Sequence, residues 1–315
     1  MTTGPQSAVG SAEPAGAGAS AAGTLSPGTG PVSPAVKATP LELPVGVTAG
    51  AAFRLSLDNC LTHLAANEPL FARGRHADNL HQTRVSWRRA RATFSLFRPV
   101  WEHDPHAHEI KARMREIVLP LGPARDVDVL LARARAEDWP AGVQRTLRGR
   151  RRRTYAVAVP LLRSPQWLEM KADLRAWLDS EHWLDGRADL RDAPVRAVTD
   201  AALEKRYQRI AAVGGELLTL GSHELHLARI EGKKFRYGCE FFASAYAGAP
   251  GSPPAAYAGA MSAVQDAFGA ANDHAAAAHV LGAHGIDPGL LGAVHGRDEC
   301  VSTWTQLMAL DPFWR

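Results

Sequence analysis

Cysteine is scarce and arranged to do little. Cys60, Cys239 and Cys300 are odd in number, widely separated and never spaced as Cys-x-x-Cys. No disulfide framework or thiolate zinc site is expected, and a reducing compartment fits best. No run approaches the ~18 uninterrupted apolar residues of a membrane span, and the amino terminus lacks a basic segment followed by an apolar stretch. Neither membrane insertion nor secretion is expected, which points to the cytoplasm. There is no Gly-rich Walker loop and no Gly-x-Ser-x-Gly elbow, and Gly214-Gly215 opens no phosphate-binding fingerprint. Net charge is also modest, +4 with a pI near 9.1, so any cationic surface must arise by local concentration.

What is present is an ordinary globular composition, 46% hydrophobic and 22% charged over 315 residues. Arginine far outnumbers lysine, and its planar guanidinium suits bidentate contacts to phosphate oxygens. Residues 1–45, rich in Gly, Ala, Ser, Pro and Thr, cannot bury enough surface to fold and read as a disordered tail. From residue 46 onward, apolar residues recur at three- and four-residue steps. Helices are expected to begin near Ala51, Ala77, His106, Pro123, Gly142, Pro165, Pro194, Ser222, Pro253, Ala270 and Leu291, with no convincing strand. The expected fold is all-α, built of packed bundles.

One motif occurs twice. His81-Gln-Thr-Arg84-Val-Ser-Trp-Arg88-Arg89-Ala-Arg91 aligns with His226-Leu-Ala-Arg229-Ile-Glu-Gly-Lys233-Lys234-Phe-Arg236 at an offset of 145 residues. Downstream, Leu121-Gly122-Pro-Ala-Arg125-Asp126 aligns with Phe268-Gly269-Ala-Ala-Asn272-Asp273 at an offset of 147. Two related halves follow. On a helix, the motif's His, first Arg, next basic residue and last Arg fall at about 0°, 300°, 340° and 280°, so they share one face. Opposite lie Trp87, Ala90, Phe94 and Phe97 in one copy and Gly232, Phe235, Cys239 and Phe242 in the other. Same-sign neighbours such as Arg84 and Arg88 cost the helix roughly 0.2–0.5 kcal/mol per pair. A single arginine-rich face is usually just solvated; its duplication in register argues for a ligand.

The duplicated pattern, followed by Gly-x-x-Arg-Asp-x-Asp, resembles the CHAD family, named for conserved histidines in an α-helical domain, over about residues 46–311. The resemblance implies two helical bundles, about 46–185 and 186–315, related by pseudo-twofold symmetry around a basic central cavity. It also implies binding of inorganic polyphosphate, and a location at polyphosphate granules. By that resemblance His81, Arg84, Arg88, Arg89 and Arg91, with His226, Arg229, Lys233, Lys234 and Arg236, would line the cavity. Either histidine would serve as a neutral donor or, beside phosphate, as a cation. Arg125 could extend the basic surface, and Asn272 in its place makes the two halves unequal at that edge.

Other features are weaker. Tyr237 is expected to pack, with a hydroxyl able to reach ligand. Arg145, Arg148 and Arg150 to Arg153 read as a solvated helix end, of which Arg153 could widen the phosphate path. His103-Asp-Pro-His106-Ala-His108-Glu109 matches no closed metal site and reads as a polar interhelical loop. No cofactor, metal or catalytic residue is expected. A phosphohydrolase or phosphotransferase acting on polyphosphate is the enzymatic alternative. The Glu-x-Glu-x-Lys signature of the triphosphate-tunnel domains often joined to this family is missing, and Leu41-Glu42-Leu43-Pro44 is only an echo. Nucleic-acid backbone is the other alternative, disfavoured because the aromatics lie on the apolar faces instead of among the basic residues. Other phosphorylated polyanions remain possible partners.

Overall fold

The computed structural model describes Met1 and residues 35–214, 222–283, 285–292 and 297–315. Among them no strand forms, and the fold is all-α. In chain order the helices are α1 (Ala49–Gly74), α2 (Ala77–Leu96), the single turn α3 (Arg98–Trp101), α4 (Pro105–Glu116), α5 (Gly122–Ala136), α6 (Ala141–Leu161) and α7 (Pro165–Ser180). They continue with the short α8 (Ala188–Arg191), α9 (Arg196–Ala211), α10 (Ser222–Phe242), α11 (Pro254–Gly282) and α12 (Arg297–Met308). None of the described helices is long and apolar enough to cross a membrane. Pro34–Arg315 forms one compact unit.

Local chemistry sets the boundaries. Thr48 caps α1 by accepting from the Ala51 N–H, Asp104 caps α4 through the His106 N–H, and Ser164 caps α7 through the Trp167 N–H. Pro105 and Pro165 occupy first turns, where a missing N–H costs nothing. The chain entering α1 is tied to the chain entering α9 by Ala49 N–H to Ala193 C=O (2.8 Å) and Val195 N–H to Val47 C=O (3.0 Å).

Two expected boundaries need correction. No helix starts at Ala270, because α11 runs through it. The first copy is broken at the aligned place by a 3-10 turn, Leu119–Leu121, with prolines at 120 and 123; the second copy has no proline there and continues. Near Leu291 the chain makes only a 3-10 turn, Pro288–Leu291, and α12 follows later.

The end of the expected tail, residues 35–45, is part of the described fold. Residues 35–44 run without regular structure but are pinned to the helices, and Leu43 is buried. Residues 2–34 of the expected tail lie outside the described residues.

The core contains two aromatic nests. Phe53, Phe94, Phe97, Trp101, Trp177 and Trp183 interlock in the first half, and Tyr207, Phe235, Tyr257, Phe313 and Trp314 in the second. The two motif helices meet where Phe97 and Phe242, equivalent positions of the duplicated motif, pack edge to face at 5.3 Å. Such rings bury large apolar areas and hold the motif helices α2 and α10 side by side. A smaller cluster of Leu130, Leu131, Trp139, Leu147, Leu281 and Leu291 joins the ends of α5 and α6 to α11.

Candidate functional site

The apolar residues of each motif face the nests, and the polar residues are left to the space between α2, α10 and α11. A cavity of about 660 Å³ opens there. His81, Gln82, Val85, Arg88 and Arg89 line it from α2, and Arg229, Lys233, Arg236, Tyr237, Cys239 and Glu240 from α10. The segment Lys37–Leu41 and α11, through Ser262, Gln265 and Asp266 among others, add further walls. A second hollow of about 290 Å³ is lined by Arg88, Arg91, Ala92, Ser95, Lys111, Ile230, Lys233, Lys234 and Tyr237. Arg88, Lys233 and Tyr237 border both hollows.

Crowding of like charges leaves its mark on titration. Burial, with Arg125 and Arg88 close by, pushes the His81 imidazole down to about 4, so it is neutral at physiological pH. Burial likewise lowers Arg84 and Arg91, with Arg88 and Arg125 adding to the effect on Arg84 and Arg115 to that on Arg91. Lys111 is lowered by burial and then by Arg98, Lys234, Arg206 and Arg91.

Counter-charges are unevenly distributed. Glu240 accepts from Arg89, which is only 5% exposed, and from Arg236 Nη1 at 2.6 Å. Glu231 accepts from Lys234 Nζ at 2.6 Å and from Arg206 Nη1 at 2.7 Å. Both carboxylates belong to α10, and the aligned α2 positions are Ser86 and Ser95. The second copy therefore carries its own neutralising groups. On α2, Arg88 makes no ion pair with a described carboxylate, and its Nε is buried without a hydrogen-bond partner. The Tyr237 ring lies under two guanidiniums, 5.3 Å from Arg89 and 4.8 Å from Arg236. Its hydroxyl is buried with no hydrogen-bond partner. Leaving such a donor unmatched costs about 1–3 kcal/mol, a cost that an acceptor placed in the hollow would remove.

Of the residues singled out in the sequence, His81, Arg88, Arg89, Arg229, Lys233, Arg236 and Tyr237 share the larger cavity, and Arg91 and Lys234 border the smaller hollow. Arg84 lines neither; its Nη1 donates to Val118 C=O at 3.4 Å. Arg125 is half-buried in the first turn of α5 and acts on His81 through its charge. Arg153 is exposed on α6 and borders neither hollow, whereas Arg151 of the same run donates to the buried Asp128 at 2.7 Å and to Arg75 C=O at 2.6 Å. The side chains of His226, Asn272 and Asp273 lie outside the described residues. The residues between His103 and Glu109 start α4, where His106 Nε2 sits 3.0 Å from Asp173. No group of three or more His, Cys, Asp or Glu able to hold a metal occurs among the described residues.

Sequence reasoning missed Lys37, Lys111, Glu231 and Glu240. The two glutamates were readable, at i, i+3 to Lys234 and i, i+4 from Arg236. Lys111 carries no sequence signal, and Lys37 was hidden by the composition of the tail.

An all-α domain with two basic helices facing a common space is the class this geometry defines. Residues 55–282 match the CHAD domain, and the chain belongs to that family. Among solved structures, it resembles the CHAD domain from the plant Ricinus communis, with a TM-score of 0.67 and 24% identity over 87% of this chain and 90% of that one. It also resembles PptA from Streptomyces chartreusis, with a TM-score of 0.57 and 14% identity over 83% of this chain and 98% of that one. At these identities the structural likeness concerns the fold alone. No match was found among curated proteins.

Proposed function

We propose that this chain is a non-catalytic binding protein for inorganic polyphosphate, taken up in the cavity between α2 and α10. One observation carries the reading: Arg88 from one copy of the motif, and Lys233 and Tyr237 from the other, border both hollows. Polyphosphate carries about one negative charge per phosphate, so recognition follows the rules for a nucleic-acid backbone, with charge-assisted hydrogen bonds and released counterions. Arg88 and Arg91 supply directional donors, and Lys111, Lys233 and Lys234 supply less directional charge. A slender chain of phosphates satisfies the buried Arg88 Nε and the Tyr237 hydroxyl without requiring space for bases. Residence at polyphosphate granules follows from the same affinity. Hydrolysis would call for several carboxylates that can together hold magnesium; Glu240 and Asp266 line the cavity, and Glu240 is already engaged by Arg89 and Arg236.

The test is to replace Arg84, Arg88, Arg229 and Lys233 together with Ala and to titrate with long-chain polyphosphate, using circular dichroism to follow the fold. Binding is expected to vanish while helical content is kept. Unchanged affinity in the folded variant refutes the site.

A further inference from the structure

The family match begins at residue 55, yet one wall of the cavity comes from before it. Residues 37 to 41 all line the cavity, and they are suspended between fixed points. On one side, Val36 gives its N–H to Asn67 Oδ1 at 3.0 Å, and its C=O accepts from Asn67 Nδ2 at 2.9 Å and from His63 Nε2 at 3.1 Å. Further on, Thr39 C=O accepts from Asn59 Nδ2 at 3.0 Å, and Leu43 N–H donates to Ser244 Oγ at 2.7 Å.

Asn59, His63 and Asn67 stand at i, i+4 and i+8, a single stripe along α1. Three extended residues span about 10 Å, and the helix rises about 6 Å from Asn59 to His63 and about 12 Å to Asn67, so Val36, bonded to both His63 and Asn67, and Thr39, bonded to Asn59, meet that stripe in step. Asn67 is 0% exposed, and a buried amide with both ends engaged is not idly placed. Pro40 and Pro44 discourage helix on either side of the segment's far end.

The consequence falls on Lys37. Its backbone lies between two hydrogen-bonded residues, while its side chain is exposed at the cavity and makes no ion pair with a described carboxylate. Glu240, an acid of the same cavity, already serves Arg89 and Arg236. We infer that Lys37 is a further phosphate-binding residue of this cavity, presented by a strap that α1 holds in place. The inference rests on the polyphosphate reading above. It adds to the site a cation supplied from outside the helices.

The experiment measures polyphosphate affinity of the full chain over a range of salt concentrations. Every phosphate that the protein ceases to neutralise lowers the slope of log affinity against log salt by about 0.7 for a single-stranded polyanion. Lys37→Ala should lower the slope by that amount and weaken binding several-fold at low salt, and Lys37→Arg should restore both. Lys205→Ala removes the same charge from an exposed position on α9 that borders neither hollow, and should leave the slope alone. If the unaltered chain does not bind, both readings fall. Binding with an unchanged slope in Lys37→Ala, or an equal loss in Lys205→Ala, overturns this inference alone.

Discussion

His81 shows how a single residue takes its character from its neighbours. Buried beside Arg125, Arg88 and Arg84, its imidazole titrates near 4, below its ordinary 6.5, and is neutral in the unliganded protein. A polyanion seated against it favours the imidazolium, so its pKa is higher in the complex and a proton is taken up on binding. Affinity must then rise as the pH falls through the bound-state pKa, and level off below about 4. Calorimetric titrations between neutral and mildly acidic pH should show the rise, and His81→Gln should remove the part that His81 contributes; an identical pH profile in the variant would count against a direct role in holding ligand. The sequence showed where the motif's cations fall round the helix but not which of them are already paired. Arg88 and Arg89 are neighbours in sequence and about 100° apart on the helix. That rotation takes Arg89 into an ion pair with Glu240 while Arg88 stays at the junction of the two hollows.

At the scale of elements, the strap from 35 to 44 and the long α11 were both misread for the same kind of reason. Composition suggested disorder in the first, because its anchoring is done by backbone groups whose partners, Asn59, His63 and Asn67, lie on another element. In the second, alignment with Gly122-Pro123 suggested a break, yet without proline the second copy simply stays helical. The start of α7, fixed by the Ser164 cap and the first-turn Pro165, was legible to the residue, and the starts of α2 and α10 at Ala77 and Ser222 also fall where the apolar pattern begins. The cost of losing the strap's anchor can be measured. Asn67→Ala strands the Val36 amide and leaves its carbonyl with His63 alone, and should destabilise the fold by about 1–3 kcal/mol, seen as a lower urea midpoint with an unchanged slope. A change below about 0.5 kcal/mol would place the strap among features that surface substitutions leave untouched.

At the scale of the whole molecule, the two hollows are lined chiefly by cations and small side chains, and the aromatic nests lie elsewhere. Among the described residues bordering the hollows, Tyr237 is the only phenylalanine, tyrosine or tryptophan, and it is itself covered by guanidiniums. A site of that kind offers no platform on which bases could stack. In competition at equal phosphate concentration, medium-length polyphosphate should therefore displace single- or double-stranded DNA; the reverse order would favour a nucleic-acid role.

The same separation decides which optical signal can follow the protein. Trp87, Trp101, Trp167 and Trp183 are almost wholly enclosed, and no tryptophan borders either hollow. Indole emission should consequently report unfolding with high contrast and stay nearly silent when ligand is added.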